Sequence, residues 1–465
     1  MALDDATIDS ILRAPPADRL TTLARLLPES VDPPIPSTAS GGDPRSLAAV
    51  PRGGRRTALD ALAAIDPVEY ARTRNHVGGA VTGLSPWIRH GVLSLAEVRD
   101  AALARVGRPD DAEKLVAELA WRDYWRQVHA ALGNRIFTDV ESPAAAARSA
   151  VGPAAMPADV LTASTGMPCI DAFVQRLLLT GRLHNHERMW LASWLVHVRR
   201  VPWRTGADWF LRHLIDGDPA SNHLSWQWVA GTFSAKPYVF NRENLQAYTN
   251  GSHCTPCRLL GHCDVEGSYD DLHARLFAAP VVARPPLRIP PPPAWRLAPG
   301  GSTSTRPLVW LTLDSIASTS PAAAAFPDAP RLFVFDPAWF AAERPSLKRL
   351  AFIFDCLADV PDAAVAWGDP RVIVPKRARA GGCNGVAVAD TPCPRVRASA
   401  AAIAADLPVV VVEPTRFCDR SRVDDLGRFS RYWNRIRSTA LRPTPPADLE
   451  RPAVPDGRPQ PRRSG

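Results

Sequence analysis

Residues 284 to 301 of this 465-residue chain read RPPLRIPPPPAWRLAPGG. Each proline fixes φ, removes a backbone donor and pushes its predecessor out of the helical region, so a run this dense continues neither a helix nor the interior of a sheet. It must run as a semi-rigid extended spacer, and the chain on either side has to bury its own apolar surface. The two sides differ in texture. From about 56 to 280, Ala-, Leu- and Arg-rich stretches with turn signals between them follow helical spacing, and nine of the 14 Trp fall between Trp87 and Trp228. From 306 to about 415, the short apolar runs PLVWLTL, RLFVFD, AVAWG, GVAVAD and LPVVVVE alternate with Ala-rich helical stretches. That is the pattern of buried parallel strands joined by helices.

The expected fold class is therefore α plus α/β. A large all-helical domain at 56–283 precedes a linker at 284–305 and a smaller Rossmann-like α/β domain at 306–440, which ends in a helix over 424–440. Ahead of them, residues 5 to 28 carry apolar positions at helical spacing interrupted by Pro15 and Pro16, which predicts two short helices, and a Pro-rich segment (VDPPIPSTASGGDPRS) completes the stretch 1–55. The basic, Pro-rich tail 441–465 lacks the apolar content for a core and is expected to be disordered. No run approaches the roughly 18 to 20 apolar residues of a membrane helix, so a soluble, cytoplasmic protein is expected. Eight Cys are too few for a disulfide framework at this length and suit a reducing compartment, where clustered thiols bind metal. The balance of 55 Lys+Arg against 47 Asp+Glu leaves +8, which favours a polyanionic partner but also fits many basic cytosolic proteins.

The most informative stretch is IDGDPASNHLSWQWVAG, residues 215 to 231. It gathers two carboxylates (Asp216, Asp218), an amide (Asn222) and two indoles (Trp226, Trp228), and every polar group buried there needs a partner. A bound polar cofactor supplies such partners; a capped Asp-Gly-Asp-Pro loop leading into a Trp-rich packing helix is the alternative. Together with GGRRTALDAL, LSPWIRHGVLS, AELAWRDYW, TGMPCIDA, GRLHNHERM, PWRTGADWF and KPYVFN, ordered between Gly53 and Tyr248, the stretch resembles the photolyase and cryptochrome flavoproteins.

The resemblance implies bound FAD, with Tyr70, Thr82 and Ser85 on its phosphate and ribityl side. Arg122, Asn185, Arg188, Asp216, Asp218 and Asn222 match positions around the flavin, Asn222 opposite N5. Where the family often has Thr-Ser-Arg-Leu-Ser, this chain has Val81-Thr82-Gly83-Leu84-Ser85, which keeps hydroxyls only at Thr82 and Ser85. On the substrate side Glu118, Trp121, Met189 and Trp228 match lesion-contacting positions, and Glu118, Trp121 and Arg122 share one helical surface at i, i+3 and i+4. The triplet His184-Asn185-His186 puts a histidine where many members have Arg. An imidazole beside the lesion suits the proton donation that repair of (6-4) photoproducts requires, so the lesion type stays open. Trp226 and Trp203 match the first two members of the family's electron-transfer chain. The segment that usually carries the third, GNRIFTDVESPAAAARSAVG, has no Trp, leaving Trp190, Trp194, Trp209 or a Tyr as terminal donor.

In HCTPCRLLGHCD, the knuckle Cys254 and Cys257 places two thiolates on one metal, and Cys263 with Cys169 from the body of the fold completes a four-thiolate site. The chain resembles there a bacterial photolyase-like branch with an iron–sulfur cluster. A [4Fe–4S] cluster competes with zinc, using His253 or His262 as fourth ligand, and with free thiols. The α/β block resembles the antenna domain that photolyases carry at their N-terminus, here placed after the helical domain. The family's Arg-Arg-Asp-Leu-Arg segment is replaced by TLDSIASTS, antenna contacts do not map, and the block is read as a structural partner rather than a holder of an antenna chromophore. The resemblance as a whole implies a monomeric, light-dependent DNA repair enzyme, in which excited reduced FAD passes an electron to a pyrimidine dimer flipped out of UV-damaged DNA. The alternatives are a cryptochrome-like blue-light sensor that binds FAD without repair, and an inert nucleic-acid-binding module with a structural metal knuckle.

Overall fold

The computed structural model describes residues 4–27, 50–145, 152–278, 285–297 and 305–445. Most of the Pro-rich segment before residue 50 and most of the tail lie outside them. Two helices open the chain, Asp5–Arg13, capped by the Asp4 carboxylate accepting from Thr7 N at 2.7 Å, and Arg19–Leu26. Pro15 and Pro16 fall in the break between them. From Arg55 to Leu276 the described elements are helices, the longest being Glu113–Leu132.

Five parallel strands follow: β1 (Pro307–Leu311), β2 (Arg331–Phe335), β3 (Ala363–Trp367), β4 (Gly385–Ala389) and β5 (Val409–Val412). Helices in every connection carry the chain back across the sheet, as parallel pairing requires. The strand order is β3-β2-β1-β4-β5, with Val309 of β1 facing Arg331 on one side and Ala387 on the other. The order reverses between β1 and β4, where open α/β sheets leave a crevice outside their carboxyl ends.

One continuous apolar core joins the two units: Trp87, Leu119 and Trp125 of the helices share it with Phe333, Phe352 and Tyr432. The remaining helices enclose a second core around Phe173, Trp190, Trp194, Phe210 and Trp226. Three segments depart from the sequence-derived domain limits. The N-terminal helices do not stand apart with residues 1–55: Ile8, Ile11 and Leu23 enter the shared core, and Arg19 pairs with Asp355 of the Leu347–Ala358 helix. The helix Phe429–Ala440, assigned to the α/β unit, lies along Glu113–Leu132, where Arg437 pairs with Glu113 at 2.6 Å. The described part of the spacer is pinned rather than free, because Leu426 N donates to Ile289 O at 2.7 Å and Leu287 N to Glu141 at 2.9 Å. Among the described residues, no helix is long and apolar enough to cross a membrane.

Candidate functional site: a cofactor cleft at the domain seam

The Glu113–Leu132 helix turns Leu119, Tyr124, Trp125 and Val128 inward and leaves Glu118, Trp121 and Arg122 half-buried along its edge. Glu118 is held by Arg74 at 2.6 Å. Burial and that carboxylate together push the nearby Tyr70 phenol up to about 12. Arg122 reaches toward Asp218 at 3.7 Å, and Arg188 holds both oxygens of Asp216, at 3.1 and 2.9 Å. Asp218 also caps the Pro219–Ala230 helix, accepting from Ser221 N at 3.2 Å and its hydroxyl at 2.7 Å. Burial raises both carboxyl pKa values, but the guanidiniums win: Arg188 and Arg122 lower Asp216, and Arg89 and Arg122 lower Asp218. Ser85 adds a hydrogen bond to Asp216. The Asn222 Nδ2 donates to Ala207 O at 2.7 Å, which turns the amide oxygen away from that contact as an acceptor.

Two ionised, buried carboxylates ringed by arginines, with an amide acceptor one turn along, suit a polar, partly anionic cofactor. Residues 115–269 match the FAD binding domain of DNA photolyase. The helical unit carries a stretch similar to the photolyases and cryptochromes. The deoxyribodipyrimidine photo-lyase of Streptomyces griseus is 39% identical over 159 residues, 33% of each chain. That of Halobacterium salinarum is 32% identical over 222 residues, 45% of this chain and 46% of the relative. The cryptochrome DASH of Oryza sativa subsp. japonica is 36% identical over 168 residues, 35% of this chain and 28% of the relative. This chain therefore spans less than half the length of the relatives it matches. A solved class III photolyase from Agrobacterium tumefaciens is 27% identical, with a TM-score of 0.35 covering 42% of this chain and 43% of that one.

Around this FAD-binding domain the remaining sequence-derived positions fall unevenly. Tyr70, Thr82 and Ser85 lie before the matched stretch; Thr82 Oγ1 accepts from Leu84 N at 3.4 Å. Asn185 is exposed, its amide within 3.4 Å of Met189 Sδ. His184 caps its helix, accepting at Nδ1 from His186 N at 3.2 Å, and its Nε2 lies 2.9 Å from Arg74 O. The His186 ring stacks on Tyr248 at 4.9 Å, and burial with the His184 neighbour pushes it down to about 4. Burial thus favours the neutral ring at His186. Trp121 does not present both faces: Phe429 stacks on one at 3.8 Å and 12°. Trp228 rests against Tyr238 at 5.6 Å.

Trp226 is buried edge-to-face with Phe210 at 4.9 Å, an approach that requires Gly206, since a Cβ there would stand 2.3 Å from the indole. Trp203 is half-buried, its Nε1 donating to Asp139 at 2.7 Å. Trp190, Trp194 and Trp209, at 0%, 1% and 7% exposed, are core residues without the solvent access a terminal donor needs.

Cys169, Cys254, Cys257 and Cys263 line one apolar cavity with Met167, Leu245 and Val265, none of them in a disulfide. Burial pushes Cys169 up to about 12 and raises Cys254 and Cys263. Among the described residues, no three His, Cys, Asp or Glu side chains stand together as a metal-binding group. His253 borders the cavity, whereas His262 is not among its lining residues.

Sequence reasoning missed the seam itself. A second cavity lies outside the carboxyl ends of the strands, lined by Arg89, His129 and Asp218 from the helices and by Asp314, Asp336 and Arg395 from the α/β unit. Neither ring nitrogen of His129 has a partner, and burial pushes it down to about 4. Gly217 O, between Asp216 and Asp218, accepts from Arg89 Nε at 2.8 Å and from Arg349 Nη2 of the α/β unit at 2.9 Å. Arg89 also pairs with Asp314 in the loop after β1. The signal available was Arg89 inside LSPWIRHGVLS, two residues beyond Trp87.

Proposed function

We propose that the chain is a light-dependent DNA repair flavoprotein of the deoxyribodipyrimidine photo-lyase class, acting on UV-damaged DNA. The observation that carries this is the placement of Glu118, Trp121 and Arg122 along one helix beside Asp216, Asp218 and Asn222, in a domain matching photolyases. Bound FAD supplies light-driven electron donation. Arg122, Arg188, Asp216, Asp218 and Asn222 would hold its ring side, with Asn185 at the edge, and Tyr70, Thr82 and Ser85 its phosphate side. Glu118, oriented by Arg74, offers a carboxylate to the lesion's hydrogen-bonding edge, while the open side of Trp121, Met189 and Trp228 supply apolar contact. With His184 and His186 both depressed by burial, the site suits a cyclobutane dimer, whose reversal needs no charged imidazole. Trp226 and then Trp203, at the solvent side, serve as the relay.

The α/β unit is a displaced counterpart of the antenna domain that acts as a structural partner. The four thiols share one cavity without standing together as a metal-binding group, so a [4Fe–4S] cluster would have to draw them closer, binding them as thiolates and releasing their protons. Iron with labile sulfide in the purified chain supports this; one zinc and no sulfide assigns the site to zinc, and neither leaves free thiols. A blue-light sensor without repair is the second reading, favoured by Phe429 covering a face of Trp121.

Glu118→Gln tests the repair reading. The variant should bind FAD within about twofold of the unmodified chain while dimer reversal falls about 10- to 100-fold, the worth of one hydrogen bond to a charged group. Equal loss of flavin and repair would make Glu118 a structural residue.

A further inference from the structure

Arg182 is absent from the residues that the family resemblance singles out, yet the fold fixes its backbone beside the cofactor loop. Gly181 ends the Pro168–Thr180 helix in the left-handed conformation, φ 66°, and its carbonyl accepts from Ile215 N at 3.0 Å, next to Asp216. Arg182 N in turn donates to Thr180 Oγ1 at 3.1 Å. From this anchor the side chain crosses to the 81–85 loop and lies over Gly83. A Cβ at position 83 would stand 2.7 Å from Arg182 Nη2, and Gly83 has φ +64°. Glycine suits the left-handed backbone there, and its missing side chain leaves the guanidinium room to lie over the loop.

The charge of Arg182 is uncompensated. Among the described residues no carboxylate makes an ion pair with it; burial lowers its pKa, and Asp216 attracts it only from a distance while already occupied by Arg188. A half-buried guanidinium without a counter-charge favours an anion from outside the chain. The anion must fit a loop whose other groups are the Thr82 and Ser85 hydroxyls, and that loop has no cation of its own. We propose that Arg182 is the charged ligand of the FAD pyrophosphate, reaching from the start of a different helix to supply the cation that Val81-Thr82-Gly83-Leu84-Ser85 lacks. This rests on the reading that FAD lies with its phosphate side along residues 82–85.

The test compares FAD with riboflavin, which has the same ring system and no phosphate, on the flavin-free full chain. Arg182→Gln should weaken FAD about 10- to 100-fold and leave riboflavin within about twofold, and Arg182→Lys should recover part of the loss because a point cation still pairs with phosphate. In the unmodified chain FAD binding should weaken with added salt more than riboflavin binding does. That salt comparison decides the matter if the glutamine variant fails to fold. Unchanged FAD affinity, an equal loss of both flavins, or a loss confined to DNA binding would each overturn the assignment. A wild-type chain that takes up riboflavin but gains nothing from the phosphates also overturns it while leaving the flavin reading intact. A wild-type chain that takes up neither flavin overturns the flavin reading and this inference together.

Discussion

An Arg349→Met chain is expected to lose about 3 to 5 kcal/mol of unfolding free energy, the usual cost of removing one partner from a buried charge cluster. Arg349 is fully buried. It donates to Leu211 O at 2.7 Å and Gly217 O at 2.9 Å, pairs with Glu343 at 2.8 Å, and lies 5.6 Å from the Trp339 ring. Methionine fills much of the volume but leaves Leu211 O without its guanidinium donor, Gly217 O with Arg89 alone and Glu343 with only Arg395, at 3.0 Å. Because Gly217 sits between Asp216 and Asp218, the loss should reach the flavin side as well, with FAD released at a lower temperature than from the unmodified chain. Chemical denaturation measures the first effect and flavin fluorescence on heating the second. Arg371→Ala, which removes an exposed pair with Asp369, should leave the stability essentially unchanged. A loss below about 1 kcal/mol for Arg349→Met would mean that the seam relaxes around the missing guanidinium.

Stability should also fall steeply as the pH drops below about 6.5. His90, His129 and His197 are 0%, 3% and 4% exposed, and burial pushes them down to about 3, 4 and 4. Near neutral pH these groups are uncharged both folded and unfolded and cost nothing. Between the unfolded value near 6.5 and the folded values, the unfolded chain takes up protons that the folded chain refuses. Each group then removes about 1.4 kcal/mol per pH unit, roughly 4 for the three together. The loss is complete once the pH has passed below the folded values. Below about 4, the depressed carboxyls Asp216 and Asp218 add to it in the same direction. Urea unfolding at pH 7, 6 and 5 should show most of the decline in the last interval. Stability independent of pH across that range would mean that the imidazoles titrate as if exposed.

The local architecture was largely legible in the sequence. The five apolar runs coincide with β1 to β5, each strand beginning and ending within about two residues of its run, because Val, Leu and Phe bounded by Pro, Gly and Asp specify short buried strands. Pro15 and Pro16 marked the helix break for the same local reason. The candidate cleft was legible only as an ordered set of motifs, which singled out Asp216, Asp218, Arg122 and Arg188, side chains that the fold brings together, but not what holds them. Arg349 reaches the Asp216–Asp218 loop from more than a hundred residues away along the chain, Asp314 meets it only through Arg89, and nothing in a helix reading LKRLAFIFDCLA distinguishes a buried arginine from a solvated one. The docking of the N-terminal helices on the α/β unit was hidden likewise, because amphipathic spacing shows that a face will be buried and not against what. Trp121 shows the limit from the other side: its motif position was plain, while Phe429, which covers it, comes from a helix far along the chain.

The most direct measurement is blue-light irradiation of the FAD-loaded, reduced chain with a defined thymine-dimer oligonucleotide, against a dark control. Dimer reversal in the light and none in the dark is the expected result. A folded, FAD-containing chain that binds the oligonucleotide and reverses no dimer under light would contradict the repair function and leave the light sensor in its place.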